Sequence, residues 1–390
     1  MCIRDRSYEG EGYDRKNLKI PQNQKELLDE IAETVGKNHI AAISFGGAPM
    51  DFSFEKNVGA ILHMYLGGQA VGESVADLIS GEVNPSGKLA ETIPFSEKDT
   101  PAWRYFAPPN DDVEYRESIF VGYRYYETFH VPVKYPFGYG LSYTSFSYSE
   151  LNVPEVYSGG KIQIRFKIKN IGKVSGAEIA QLYICPNESD VIRSHIELKG
   201  FQKIYLHPGE EKEVILELDE RSFSVYDVEK KAFSMLSGKY QICIGASVHD
   251  LQLKANMEVV GNSYFRNERE LFPDYFREQP HGMEISAEQF YQLLGGEPKH
   301  DKGKKRGEYT VYDSYQDVVN VSMFGKFVRG VVHIGLKIIL RGKSERDPAF
   351  KMVKMGVEEG NLEGLIATSG GIATPKLIDM LVYNANKKYL

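Results

Sequence analysis

This 390-residue sequence has three cysteines, one tryptophan and no long apolar run. Cys2, Cys185 and Cys243 show no C-x-x-C or related ligand spacing, so no zinc module is indicated. Cys185 and Cys243 fall in the apolar runs QLYIC and QICIG and read as buried thiols acting as small hydrophobes. A basic excess is also missing: 47 Lys and Arg stand against 54 Asp and Glu, a net charge of −7. That balance argues against a nucleic-acid partner, whose phosphates would need neutralising. The longest apolar stretch, FVRGVVHIGLKIIL at 327–340, carries Arg329, His333 and Lys337. It is too short and too polar to span a bilayer. It reads as a buried or surface-lying segment, and no membrane partner is expected. The opening MCIRDR lacks the apolar core and cleavage site of a signal peptide. Residues 1–6 read as a leader foreign to the domain, and the native N-terminus is expected to be missing. Localisation is then not readable from a signal; the reading leans to the cytoplasm.

A chain of this length is expected to hold more than one domain. From Gln22 to Lys37 apolar residues recur at helical spacing, with Leu27, Leu28, Ile31, Ala32 and Val35 on one face and Gly36 at the end. HIAAISFGG and VGAILHMYLGG read as buried parallel strands closed by glycines. A second helix, Gln69 to Ser80, carries Val71, Val75, Leu78 and Ile79 on one side. This rhythm predicts helices on both faces of a mostly parallel sheet, with functional loops at the carboxyl ends of its strands. After about residue 145 the period changes to two. KIQIRFKIKN, KEVILELD and GKYQICIGAS alternate apolar with polar side chains and are separated by turns such as HPGEE. They predict an antiparallel β-sandwich. The polar, basic GGEPKHDKGKKRGEY reads as a solvated linker, and the remainder as short helices, the last begun by Thr374 and Pro375. The expected division is a leader at 1–6, an α/β/α sandwich at 7–145, a β-sandwich at 146–262, a linker at 263–310 and a helical extension at 311–390.

Four separated motifs then carry a resemblance. EGEGYDRKNLKIPQNQKELL, GGQAVGESVADLISGEVNPSGKLAETIP, YRESIFVGYRYYET with YPFGYGLSYTSFSY, and GAEIAQLYI with ELKGFQKIYLHPGE occur in this order. Together they resemble the C-terminal half of glycoside hydrolase family 3, of the β-glucosidase type, over about residues 8 to 260. The resemblance implies a fibronectin type III-like domain for the β-sandwich. It also implies an N-terminal β/α barrel bearing an aspartate nucleophile in a Ser-Asp-Trp type segment. No such segment occurs, and the only tryptophan, Trp103, follows proline and alanine. The chain therefore reads as a fragment.

The implied chemistry is retaining glycoside hydrolysis, which needs two carboxyl groups flanking the scissile bond. Glu11, between Gly10 and Gly12, occupies the family's acid/base position, and Glu9 is the runner-up. Flanking glycines allow the loop to deliver that carboxyl into a crevice. Tyr13 could offer a ring to the leaving-group sugar or could simply anchor the loop. Asp14 and Arg15 read as residues that pin it. Asn84, Pro85 and Gly87 read as a turn, with Lys88 as its exposed end. The tyrosines of GYRYYE at 122–127 read as packing between domains. His39, His63 and His130 do not cluster with acids, so no metal site is expected. Neither a G-x-S-x-G elbow nor a G-x-G-x-x-G opening a helix is present. The expected function is the acid/base part of an exo-acting β-glucosidase without a cofactor, acting on an oligosaccharide or an aryl or alkyl β-glycoside. A β-xylosidase or α-arabinofuranosidase of the same architecture, or a non-catalytic carbohydrate-contacting scaffold, is the alternative. Homo-oligomerisation is left open.

Overall fold

In this computed structural model, residues 17–106, 113–187, 189–261, 267–297, 304–339, 347–358 and 360–387 are described. Residues 1–6, Glu11 and Tyr13 lie outside the described residues.

The first unit opens with α1 (Gln22–Val35), closed by Gly36 at φ +80°, where a side chain would be strained. Strands β1 (Ala41–Ser44) and β2 (Ala60–His63) pair in parallel, Ser44 opposite His63. Helix α2 (Val71–Ser80) follows and ends at a left-handed Gly81. Strand β3 (Ile93–Pro94), helix α3 (Tyr123–Thr128) and strand β4 (Val133–Tyr135) complete the unit, β3 pairing antiparallel with β4. Met50, Phe52, Phe54, Val58 and Ile93 form its core. Among the described residues the parallel sheet is two strands wide. A sheet that narrow leaves α1 and α2 without a fully buried side chain, and Ile79 on α2 is 54% exposed.

The β-sandwich follows from the period-two pattern. One sheet joins β5 (Phe146–Asn152), β7 (Ile162–Asn170) and β10 (Glu211–Leu218) in the order β10-β7-β5. The other takes β6 (Val156–Tyr157), β8 (Gly176–Pro186), β9 (Glu197–Leu206), β13 (Gly238–Gly245) and β14 (Leu251–Val259), ordered β6-β14-β13-β8-β9. A hairpin of β11 (Ser224–Asp227) and β12 (Ala232–Met235) stands apart. Ile164, Phe166 and Ile168 of β7 face Leu182, Ile184, Ile242 and Ile244 in one core. The alternate positions of β7 carry exposed ion pairs, such as Arg165 with Glu213 at 3.0 Å, each worth at most about 1 kcal/mol. Strand β8 does not alternate: it is buried almost throughout. Its inner side faces the sandwich core. Its outer side, with Tyr183 and Cys185, packs beside Tyr123 and Phe137 of the first unit.

That docking gives two sequence motifs their purpose. Ser142 Oγ and the Tyr143 N–H donate to Asn84 Oδ1 at 3.0 and 2.8 Å, and Asn84 Nδ2 donates to the Ser175 carbonyl at 3.1 Å. Lys88 is not the exposed end of a turn. Its ammonium pairs with Glu178 of β8 at 3.0 Å and donates to the Gly140 carbonyl at 3.1 Å, with both side chains largely buried. Asn-Pro-Ser-Gly-Lys and Pro-Phe-Gly-Tyr-Gly thus clasp one another. A Cβ at Gly140 would lie 2.4 Å from the Gly87 carbonyl oxygen, so the approach requires glycine. The tyrosines of α3 are packing residues: Tyr125 and Tyr126 are buried, and the Tyr123 ring stacks on Phe137 at 4.7 Å.

The stretch at 263–310, expected as a linker, is corrected in its central part. Helices α4 (Glu268–Leu271) and α5 (Ala287–Leu294) frame a strap that returns to the first unit. Phe272, Tyr275, Met283, Ile285 and Phe290 from this strap pack with Phe120, Tyr125, Tyr126 and Val131. Tyr125 donates to the Gln279 carbonyl at 2.7 Å, and burial pushes its pKa up to about 12. Apolar residues spaced without a regular period made this segment look irregular; it is an extended strap with short turns, which has no period to display.

The C-terminal region is helical, as expected: α6 (Tyr315–Val321), α7 (Met323–Ile339), α8 (Pro348–Glu358), α9 (Leu362–Thr368) and α10 (Pro375–Asn386). Val318, Val319, Val328, Leu362, Leu365, Ile378 and Leu381 belong to its own core. Thr374 Oγ1 caps α10 by accepting the Leu377 N–H, with Pro375 in the first turn. Asn386 closes the unit, accepting from the Gly307 and Tyr309 N–H groups at 2.9 Å.

Candidate functional site

Parallel strands present their functional loops at their carboxyl ends, and here those ends hold an unusual group of polar side chains. Ser44 and His63 are the last residues of β1 and β2, and the parallel register sets them side by side. Ser44 Oγ lies 2.8 Å from His63 Nδ1. Burial holds the His63 pKa below its ordinary value, which keeps the imidazole neutral. Two residues on, Tyr65 takes φ +49°, a strained conformation for a residue with a side chain. Its carbonyl accepts the Gly46 N–H at 3.2 Å, which ties the two strand-end loops together. The rings of His63 and Tyr65 stand 4.1 Å apart.

Glu91 adds a carboxyl to this group. Burial raises its pKa, the direction that favours a neutral carboxylic acid, and it interacts electrostatically with Tyr65. Among the described residues His63 Nε2 and Thr92 Oγ1 are buried without a hydrogen-bond partner, while the Tyr65 hydroxyl and the Glu91 carboxyl face one another. Orphaned buried polar atoms are costly, so a concentration of them marks a place where further polar groups belong. Of the two ring nitrogens of His63, only Nδ1 has a partner among the described residues. A polar residue closing each of two apolar strand runs was the available sequence signal.

Glu11 and Tyr13 lie outside the described residues, but the backbone that follows them is anchored at this edge. The Leu18 carbonyl accepts the Asp51 N–H at 2.6 Å, in the loop after β1, and the Leu18 N–H donates to Glu97 at 3.1 Å. Glu55 fastens the same loop. Burial alone would raise its pKa, yet hydrogen bonds from Lys134 and Tyr135 outweigh this and hold it below the ordinary value.

A second polar group lies where α3 meets the β-sandwich. A cavity of about 280 Å³ is lined by Glu127, Cys185, His195, Gln241 and Lys254, among others. Glu127 pairs with His249 at 2.8 Å, and burial raises its pKa although His249 opposes the shift. The Cys185 and Cys243 sulfurs are 3.8 Å apart, both thiols free and buried. Among the described residues no group of three or more His, Cys, Asp or Glu side chains is placed to hold a metal ion.

The Glycosyl hydrolase family 3 C-terminal domain matches residues 1–143, and the Fibronectin type III-like domain matches residues 178–248. Residues 1–143 are thus similar to the family 3 C-terminal domain. The first match includes the Gly-Glu-Gly-Tyr-Asp segment around Glu11 and the strand-end loops of β1 and β2. Thermostable beta-glucosidase B of Acetivibrio thermocellus is 44% identical over 254 residues, 65% of this chain and 33% of that protein. An exo-alpha-(1->6)-L-arabinopyranosidase of Bifidobacterium breve is 37% identical over 254 residues, again 65% and 33%. The crystal structure of a family 3 beta-glucosidase from Bifidobacterium adolescentis superposes with a TM-score of 0.62 at 36% identity, covering 65% of this chain and 38% of that one. Beta-glucosidase 3B of Thermotoga neapolitana, in complex with alpha-D-glucose, superposes at 0.60 and 35% identity over 66% of this chain and 37% of that one. The chain thus spans about one third of the length of the curated relatives it matches. The family 3 α/β domain and the fibronectin type III-like sandwich are the two units described above.

Proposed function

We propose that these residues supply the acid/base side of a retaining, exo-acting β-glycosidase, with terminal β-D-glucosyl residues as substrate. Glu11 is the general acid/base. It protonates the departing glycosidic oxygen, then takes a proton from the water that hydrolyses the glycosyl-enzyme. The attacking carboxylate comes from outside the segments matched here. Tyr13 offers its ring to the leaving-group sugar. The observation that carries this reading is the family 3 domain match across the Glu11 segment. The anchoring of the chain at Leu18, beside the carboxyl end of β1, supports it by fixing where that segment rejoins the α/β unit.

The test is the Glu11→Gln variant in the full-length protein that contains this chain, assayed on aryl glycosides with good and poor leaving groups. General-acid assistance contributes roughly 10²–10⁴-fold, so kcat on poor leaving groups should fall by about that factor and on activated ones by less. Equal activity of variant and parent on both would refute the role. The 390-residue chain by itself should show negligible hydrolysis, because a retaining mechanism needs both carboxyl groups. A second sugar class has a specific reason behind it: relatives named exo-alpha-(1->6)-L-arabinopyranosidase are 37% identical. A panel including α-L-arabinopyranosides and β-xylosides distinguishes the two.

A further inference from the structure

Helix α7 has two apolar faces, and the helical unit uses one of them. Val328 and Leu336 are buried in the unit, with Phe324 and Val332 packed beside them. On the other face Met323, Phe327, Val331, Ile334 and Ile338 are 84, 67, 54, 61 and 66% exposed. At about 100° per residue, these five side chains fall within an arc of about 80°, a continuous stripe along the 17-residue helix. Lys326, Arg329, His333 and Lys337 are exposed and share the arc bordering it. No Asp or Glu occurs anywhere in α7, in a protein whose net charge is −7. Arg329 is held by Asn320 at 2.8 Å, an uncharged partner.

We propose that α7 is a docking helix for an anionic lipid surface, lying in the plane of the headgroups with the Met323–Ile338 stripe inserted. Charge complementarity selects this occupant. A stripe edged by cations and no acid is best matched by an anionic neighbour, and this division of side chains is the one that suits a helix lying in a membrane interface. A second copy of α7 would bring its own cations and no acid to the contact. A protein partner is matched less well, because the stripe has no Tyr, Trp or Arg anchor of the kind that centres protein interfaces. None of the described helices is long and apolar enough to cross a membrane, so the helix rests on the surface and does not span it. The net negative charge of the whole chain opposes diffuse attraction to anionic lipid, so binding, where it occurs, must be local.

The test is co-sedimentation of the full chain with vesicles of phosphatidylcholine alone and of phosphatidylcholine mixed with phosphatidylglycerol, at low salt and at about 0.5 M salt. Binding to the mixed vesicles only, weakened by salt, is expected. Phe327→Glu with Ile334→Glu should reduce it at least tenfold. Lys326→Gln with Lys337→Gln should weaken it by roughly thirtyfold at low salt, from the attraction each cation contributes near such a surface. All four side chains are exposed, so both variants should keep the parent's thermal unfolding midpoint. Absence of binding to the mixed vesicles overturns the proposal, whether or not the chain dimerises through the stripe in sedimentation velocity. Binding that survives Phe327→Glu with Ile334→Glu also overturns it.

Discussion

Replacing Lys88 by Met tests how the two folded units hold together. The Lys88 ammonium meets Glu178 at 3.0 Å with 12% and 8% of the two side chains exposed, and it donates to the Gly140 carbonyl. Methionine keeps the apolar stem and removes the charge. Glu178 then keeps a backbone donor, the Ile179 N–H at 2.7 Å, but no counter-ion. Breaking a buried pair from one side costs about 3–5 kcal/mol. The remaining N–H places this case at the low end, about 3 kcal/mol. For a cooperative unit of this size, that lowers the calorimetric midpoint by about 6–12 °C. Lys88→Met with Glu178→Leu removes both charges and should recover to within about 1 kcal/mol of the parent, because the stranded carboxylate is gone. A Lys88→Met protein within about 0.5 kcal/mol of the parent, or a double variant no better than the single one, would refute the reasoning.

Two further outcomes are expected beyond those for Glu11 and for α7. Burial lowers the His63 pKa, so on acidification below about pH 6.5 the unfolded chain takes up a proton that the folded chain refuses, and stability falls. His195 acts in the same direction, whereas Glu91, with its raised pKa, gains stability as pH falls through that value. His63→Leu should therefore flatten the loss of stability between about pH 7 and about pH 5.5 in urea titrations; an unchanged slope would count against a buried neutral imidazole. Cys185 and Cys243 should stay reduced under mild oxidation and react with a thiol reagent only after denaturation. The register sets Cys185 opposite Gln241 and Cys243 opposite Tyr183, a diagonal pairing too wide for a disulfide without backbone movement. The neighbouring Cys243 sulfur and burial also push the Cys185 pKa up, away from the reactive thiolate. A bridged peptide in the mass spectrum would contradict this.

The strands of the sandwich could be read from the chain because their cause is local. In β7 the alternation of Ile164, Phe166 and Ile168 with Arg165 and Lys167 has one stable solution, a strand with one face in a core. The same holds for α1, stopped by Gly36, and for α10, started by Thr374 and Pro375. The glycines that flank Glu11 are visible in the sequence, and that segment lies outside the described residues. Other features depend on surfaces distant in sequence. Whether β8 alternates or is buried on both sides depended on the first unit docking against it, and Lys88 became a buried cation for the same reason. The strap at 268–294 has no period, so its burial was decided by the aromatic face of α3 that receives it. The pairing of Ser44 with His63 exists only because two parallel strands share a register, a relation that neither segment carries alone. The sequence by itself determined which segments are strands and helices, because dihedral preference and side-chain periodicity act within a few residues. The tertiary structure alone decided which polar groups are buried together, because burial depends on the partner that covers a surface.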